Sequence, residues 1–315
     1  MSFTLRQLSY FAAAGETGSI TLASQRVNIS QPAISAAISQ LEEELGTQLF
    51  VRHHAQGLTL TSAGRSLLRE AHLLLRQADG LYAAAADLQL KPSGEMSVGW
   101  FSTLAPLLMP DLIRSFTERY PGTTVRSQVS HQEDLLAALR RAEIDVAITY
   151  DLLLSVDFSF TPLVDLPPYA LVSATHPLAK RTSVSLADLA PLPMVLLDLP
   201  QSRDYFMSLF LAERLEPTIA LTAQQQDVVR SLVANDFGYA LFNVRPLNET
   251  ALDGKPLVRL ALSGDHRPVR IGIAALPTLK PTRLVTVFTE HCRELIDTRA
   301  IPGMAPLPRA STRRR

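Results

Sequence analysis

The sequence has 315 residues, longer than a single domain usually runs, and its 47% hydrophobic and 19% charged residues exclude a disordered chain. Thirty basic residues balance thirty acidic ones, which excludes a protein that holds nucleic acid by bulk charge. Residues 1–70 repeat the balance, with Arg6, Arg26, Arg52, Arg65 and Arg69 against Glu16, Glu42, Glu43, Glu44 and Glu70. No apolar run reaches the roughly 20 residues that cross a bilayer, and the first residues lack the order of a secretory signal, so a cytoplasmic protein without a membrane partner is expected. A single cysteine, Cys292, excludes an internal disulfide and any multi-cysteine metal site; its helical setting reads as packing, and no cofactor or metal is expected.

Proline divides the chain. Only Pro32 precedes Pro92, so the first part is expected to be helical and Lys91-Pro-Ser-Gly94 to break it. Thr4 can cap a first helix with Leu5, Leu8, Phe11 and Ala12 on one stripe. Ser19 caps a second, carrying Ile20, Ala23 and Val27, and Asn28-Ile29 turns the chain. Ser30 is the expected cap of a third helix, where Pro32 is tolerated in the first turn. That helix carries Ile34, Ile38, Leu41 and Leu45 on one face and Gln31, Ser35, Ala36 and Ser39 on the other, until Gly46 stops it. The second face is small and polar enough to enter a DNA groove. Periodicity alone leaves two readings open, a helix-turn-helix and an ordinary three-helix bundle.

Two short extended runs around Gly57 read as a wing, with Arg52, His53 and His54 either approaching phosphate or simply solvated. From Thr61, another cap, a helix is expected to residue 90. In it Leu67, Ala71, Leu74, Ala78, Leu81, Ala85 and Leu88 alternate steps of four and three, the heptad seam of a dimer.

Beyond the break, strands at 95–101, 124–130 and 145–150 alternate with helices at 104–120 and 132–142, the signature of a parallel sheet. A second series follows: strands at 169–173, 194–198, 218–221 and 239–242, with helices near 202–214 and 227–235. A strand at 270–276 and a helix at 282–297 return to the first lobe. Two lobes joined by two crossings enclose a cleft, and the carboxyl ends of the strands locate it. They place there Phe101, Ser102 and Thr103, then Ser130 and His131, then Tyr150 and Asp151, and Gln201 and Ser202 in the other lobe. The helix after Thr103 offers backbone donors to an anion. Thr103 and Ser202 can equally be ordinary helix caps, and Trp100 and Phe101 read as core. The proline-rich tail ending in Arg313-Arg-Arg315 is expected to be unstructured.

Several stretches together resemble the LysR-type transcriptional regulators: Leu5-Arg-Gln-Leu-Ser-Tyr-Phe11, Gly18-Ser-Ile-Thr-Leu-Ala-Ser24, Ile29-Ser-Gln-Pro-Ala-Ile-Ser35, Ile38-Ser-Gln-Leu-Glu42, Leu45-Gly-Thr-Gln-Leu-Phe-Val-Arg52 and Leu60-Thr-Ser-Ala-Gly64. The later part is similar more loosely, through Leu107-Leu-Met-Pro-Asp-Leu112, Phe116-Thr-Glu-Arg-Tyr-Pro121, Leu139-Arg-Arg-Ala-Glu-Ile-Asp-Val-Ala-Ile148, His176-Pro-Leu178 and Gly238-Tyr-Ala-Leu-Phe242. The chain departs at Leu22, where an alanine is usual, and at His53, which makes the charge of the wing depend on pH. The resemblance implies an α+β multi-domain bacterial regulator. It would comprise a winged helix-turn-helix over 1–61, a linker and dimerisation helix over 62–91, and a periplasmic-binding-protein-like effector domain over 92–300. The lobes of that domain would be 95–164 with 269–300, and 165–268, followed by a tail over 301–315. It further implies Gln31, Pro32 and Ser35 as DNA-facing, Arg52 and Thr61 near the backbone, and Thr103 and Ser202 as donors to an effector. Promoter DNA, a small anionic or aromatic effector, RNA polymerase and a homotetramer built from dimers are the implied partners. An exported solute-binding protein is opposed by the N-terminal module. No nucleophile elbow, phosphate loop or metal spacing supports an enzyme.

Overall fold

The computed structural model describes residues 3–53, 57–86, 92–278, 281–296 and 301–306. The chain divides into two compact units, Met1–Gly94 together with Ala137–Ile144, and Glu95–Leu136 together with Asp145–Arg315.

In the first unit the local signals act as the residues dictate. Helix α1 (Leu5–Thr17) opens on a reciprocal box in which Thr4 accepts from the Gln7 amide and Gln7 from the Thr4 amide, and it closes on Gly18 at φ +61°. Helix α2 (Ile20–Val27) is capped by Ser19 and closed by left-handed Asn28. Helix α3 (Gln31–Leu45) begins after Ser30, whose hydroxyl, against expectation, makes no cap bond to the helix. Leu8, Phe11, Ile34, Ile38 and Leu41 are fully buried where the three helices meet. Leu45, expected on that face, is exposed because the helix ends there.

Strands β1 (Phe50–His53) and β2 (Gly57–Leu60) pair antiparallel as the wing; residues 54–56 lie outside the described residues. Phe50 packs edge-on against Phe11, with centroids 5.6 Å apart. The Glu42 carboxylate accepts from the amides of Leu49 (2.7 Å) and Phe50 (3.1 Å), fastening α3 to the wing. Gly57 is required by close approach. It sits at φ +90°, and a Cβ there would lie 2.6 Å from the Gly18 carbonyl oxygen, to which the Leu58 amide donates at 2.8 Å.

Helix α4 (Ser62–Ala86) follows. Its heptad seam is not uniform. Ala71 is buried and Leu67 partly buried in the core of their own unit, beside Leu68 and Leu75. Leu74 is exposed, and Ala78 is half-buried. The side chains of Leu81 and Ala85 and the whole of Leu88 lie outside the described residues. A regular repeat on a helix that leaves a small domain cannot distinguish packing within that domain from packing on a partner.

From residue 94 the chain runs through β3 (Gly94–Phe101), α5 (Ala105–Arg119), β4 (Thr123–Ser130), α6 (Gln132–Arg140), β5 (Val146–Tyr150) and β6 (Ser159–Leu166). The chain continues through β7 (Tyr169–Ser173), β8 (Ser183–Val184), α7 (Leu186–Leu189), β9 (Pro193–Leu197), α8 (Pro200–Ala212), β10 (Thr218–Ala223) and α9 (Gln226–Ala234). It ends with β11 (Ala240–Phe242), β12 (Leu257–Leu262), β13 (Val269–Ala275) and α10 (Arg283–Leu295). One sheet has the order β4-β3-β5-β13-β6, another β11-β7-β12-β8, and β10 pairs with β9. The chain crosses between the two larger sheets after β6 and again before β13.

Strands β6, β8 and β12 were not expected. Pro162 disguises β6, yet it is tolerated on an edge strand where the register slips opposite Gly272. Arg259 interrupts β12, although that strand lies inside its sheet. Between α5 and α10, Phe288 packs edge-on against Trp100 and Phe116. Cys292 is buried, and burial pushes its thiol up, as a packing residue requires.

The expected unstructured tail does not begin at residue 301. Ile301 and Met304 are buried, Met304 bridges Pro246, and the Ala305 amide donates to the Arg245 carbonyl at 2.8 Å. Apolar side chains hidden in the tail's proline-rich composition hold this segment. The Arg313–Arg315 run lies outside the described residues.

Two stability predictions follow from buried polar groups. Glu42→Ala leaves two wing amides without their acceptor and costs about 2 kcal/mol; hydrogen exchange is expected to show the amides of Leu49 and Phe50 losing protection first. His291 is buried, with Nε2 2.9 Å from the Ser115 hydroxyl, and burial, reinforced by Arg119, holds its imidazole below the ordinary value. The unfolded chain therefore binds a proton near pH 6.5 that the folded chain resists, so stability is lost as pH falls below that value. In denaturant titrations between pH 7.5 and 5.5, His291→Gln is expected to flatten this dependence.

Candidate functional site

The first site is one face of α3. Ser30, Gln31, Pro32, Ala36 and Ser39 are exposed and Ser35 is half-buried, all opposite the buried Ile34–Ile38–Leu41 edge. Because Ser30 does not cap the helix, its hydroxyl and the first-turn amides remain available to an outside acceptor such as phosphate. Arg52 on the wing is exposed and donates to the Ser39 hydroxyl at 3.3 Å, which brings the wing's cation to the polar face of the helix. The backbone of His53 pairs with Gly57; its side chain lies outside the described residues, as does all of His54.

Thr61 takes the capping role expected of it. Its hydroxyl donates to the Gln48 carbonyl at 2.8 Å and accepts from the Gly64 amide at 2.9 Å. The hydroxyl proton is thus used within the domain, and Thr61 acts as the cap of α4. The other cations of this unit are largely engaged: Arg26 with Glu16, Arg65 with the Leu60 carbonyl and Arg69 with Glu70.

The second site lies at strand carboxyl ends of the second unit. A small cavity of about 20 Å³, room for a single water, is lined by Thr103, Tyr150 and Ser202 from the expected set. Gln226 and Asn243 add to its polar wall. A larger cavity of about 300 Å³ shares Thr103 and Gln226 and adds Ser102, His131, Arg230, Asn248 and Thr250. Its volume is at the lower end of small-molecule sites.

Neither of the two leading positions is a helix cap. The Thr103 hydroxyl lies 3.1 Å from that of Tyr150, and α5 is led by Leu104. Ser202 falls in the first turn of α8, whose N-cap position is held by Leu199. Burial pushes the Tyr150 phenol up, so it stays protonated and can donate. Ser102 and His131 approach each other at 3.4 Å.

Three expected residues stand off the walls. Phe101 is buried, with its ring packed edge-on against Tyr150 at 5.2 Å. Ser130 donates to Asp134 at 2.8 Å, and Gln201 reaches Glu133 at 3.4 Å. None of the three lines either cavity. Asp151 closes the end of β5 by accepting from the Arg270 amide at 2.9 Å.

Sequence reasoning missed Gln226, Arg230, Asn243 and Asn248. The strand-end rule would have found residues 224–227, since they directly follow β10; Arg230 lies a turn further on, beyond its reach. Asn243 also ties together the two chain crossings. Its amide donates to the Leu166 carbonyl (3.0 Å) and the Tyr205 hydroxyl (3.3 Å), while Tyr205 donates to the Arg267 carbonyl (2.7 Å). Leu166 and Arg267 lie on the two chain crossings.

A winged helix-turn-helix, followed along the chain by an α/β domain with two larger sheets and a cavity lined in part by polar side chains, defines a DNA-binding regulator with an effector-binding domain. Residues 5–65 match the bacterial regulatory helix-turn-helix protein, lysR family, and residues 89–297 match the LysR substrate binding domain. The chain belongs to the LysR family of transcriptional regulators, whose members are regulators and not enzymes. It is 29% identical over 301 residues to the transcriptional regulator YvbU of Bacillus subtilis, covering 93% of this chain and 98% of the relative. HinK, a LysR family regulator from Pseudomonas aeruginosa, is 36% identical with a TM-score of 0.65, covering 94% of this chain and 99% of HinK. CbnR complexed with its target DNA shares the fold at 23% identity and TM-score 0.63, covering 93% and 99%.

Loss of one good base contact costs about 1–3 kcal/mol. Gln31→Ala is therefore expected to weaken binding to the DNA upstream of the protein's own gene roughly tenfold, and Ser35→Arg at least as much through bulk. The elution volume of the assembly on a sizing column should not change in either variant.

Proposed function

We propose that the protein acts in the cytoplasm as a dimer, or a tetramer of paired dimers, that reads promoter DNA with α3 and Arg52 and answers to a small anionic or aromatic effector held by Ser102, Thr103, Tyr150, Ser202 and Gln226. The observation that carries the effector reading is an unsatisfied group at the cavity: the Gln226 side-chain carbonyl oxygen is buried without a donor. Gln226 lines the small cavity beside Ser202 and also lines the larger one. Buried polar groups without partners are costly, and a ligand that pairs them recovers that cost. Gln31, Ser35, Ala36 and Ser39 would meet base edges, while Ser30, Arg52 and the wing approach phosphate.

Dimerisation through α4 rests on exposed Leu74 and on the sequence register that continues through Ala78, Leu81, Ala85 and Leu88. Two recognition helices held in this way meet half-sites about one helical turn of DNA apart. In this reading the effector shifts the balance between arrangements of the two sheets, and the Asn243–Tyr205 pair transmits the shift to both crossings. The dimers then sit differently on bent DNA, with altered contact to RNA polymerase.

A thermal-shift screen of small carboxylates and aromatic acids identifies the effector, and footprinting with and without it tests the mechanism. The footprint or bend is expected to change in the wild type. In Tyr205→Phe the effector should still bind but the change should be smaller. An unchanged wild-type footprint under saturating effector would contradict the mechanism.

A further inference from the structure

The start of α9 gives the 300 Å³ cavity three adjacent polar residues of different character, Gln226, Asp227 and Arg230. Arg230 is only 4% exposed, and its Nη2 donates to the carbonyls of Asn248 and Thr250, both at 2.9 Å. Asn248 and Thr250 line the cavity with it. Both acceptors are neutral, so they fix the guanidinium in the wall without answering its charge. Burial holds Arg230 below its ordinary value, and Asp227 favours its charge through space rather than by a hydrogen bond. The neighbouring Arg259 is served differently, since Glu249 lies 3.4 Å from it. A buried cation is costly unless an anion sits against it, and the cavity is where a ligand can bring one.

The same turn of α9 has the opposite need. Gln226 Oε1 is buried and receives no hydrogen bond, and a carbonyl taken out of water calls for a donor. Asp227, next to it, is exposed on the cavity wall. An acid in the first turn of a helix is ordinary, because it offsets the partial positive charge of the helix start. This one also stands beside an orphaned acceptor. Gln226 and Arg230 are four residues apart, so they share one face of the helix.

A simple carboxylate would answer Arg230, but it would be repelled by Asp227 and would leave Gln226 Oε1 without a donor. A simple amine would do the reverse. Of the remaining lining residues only His131 can carry a charge, and Pro106, Leu107 and Leu252 are apolar. We infer that the effector of this cavity is a small amino acid. Its carboxylate meets Arg230, its ammonium donates to Gln226 Oε1 and faces Asp227, and an uncharged side chain lies against Pro106, Leu107 and Leu252. The inference rests on the effector reading above and adds an amine to the acid expected there.

The test uses the full-length protein. The common L-amino acids, β-alanine and 4-aminobutyrate are screened by scanning calorimetry beside acetate, benzoate and citrate, which are acids without an amine. At least one amino acid is expected to raise the melting temperature saturably, by roughly 5 °C at a hundredfold excess over its dissociation constant. Titration calorimetry then compares the best of them with the acid that lacks its amine and the amine that lacks its acid. Each is expected to bind roughly tenfold more weakly, or worse. Asp227→Asn, at an exposed position, is expected to leave melting without ligand nearly unchanged. It should weaken the amino acid roughly tenfold and tighten the amine-free acid. Gln226→Leu removes the orphaned acceptor and is expected to melt no lower than the wild type without ligand, while also weakening the amino acid. A merely structural role for either residue would move both affinities in the same direction.

The inference is overturned if no amino acid gives a saturable rise, or if the amino acid and its amine-free form bind equally and Asp227→Asn alters neither. If an amine-free acid alone stabilises the protein and changes its footprint, the amino-acid inference fails and the effector reading stands. If an amino acid binds as described but the footprint and bend stay the same, the site stands and the effector reading fails.

Discussion

A buried asparagine–tyrosine pair constrains everything the effector domain can do. Asn243 and Tyr205 together bond the carbonyls of Leu166 and Arg267, so both chain crossings between the sheets are tied to one point. The same two side chains line the small cavity with Thr103, Tyr150 and Ser202. In the proposed mechanism, a ligand that enlarges or closes that cavity presses on side chains that bond both crossings. Close-packed interiors do not deform smoothly, and small shifts at such a point are resolved into distinct arrangements.

The DNA-binding unit solves a separate problem, which is to bind a polyanion without net positive charge. Counterion release scales with the number of phosphates neutralised, and five arginines balanced by five glutamates provide little of it. Several of those arginines are also engaged within the unit. What remains is placement. An uncapped helix start at Ser30, a small polar face on α3, and Arg52 lodged beside Ser39 suit groove contact better than bulk attraction. Weak phosphate binding per unit is a reason for the proposed dimer, since two modest modules joined together gain what neither has alone.

Local chemistry made much of this legible. Thr4, Ser19 and Thr61 cap the helices they were expected to cap, and Gly18, Asn28 and Gly46 stop them, because capping depends on a few adjacent residues. The alternation of strands and helices placed Thr103, Tyr150 and Ser202 on the cavity walls, because the carboxyl-end rule is geometric. Signals that depend on distant partners were not legible. Pro162 and Arg259 hid β6 and β12, whose existence rests on pairing with β13 and β7. The heptads of α4 did not reveal that Leu67 and Ala71 serve their own core. Residues 301–306 looked unstructured until their contacts with residues 245–247 fixed them.

The central claim is that the polar face of α3 reads specific bases in a DNA duplex. It is tested most directly by competition at physiological salt between the region upstream of the protein's own gene and random duplex of equal length. The account predicts at least a thousandfold preference for the natural region, with protection of two half-sites centred about ten base pairs, or a multiple of that, apart. Equal affinity for the two duplexes would contradict it.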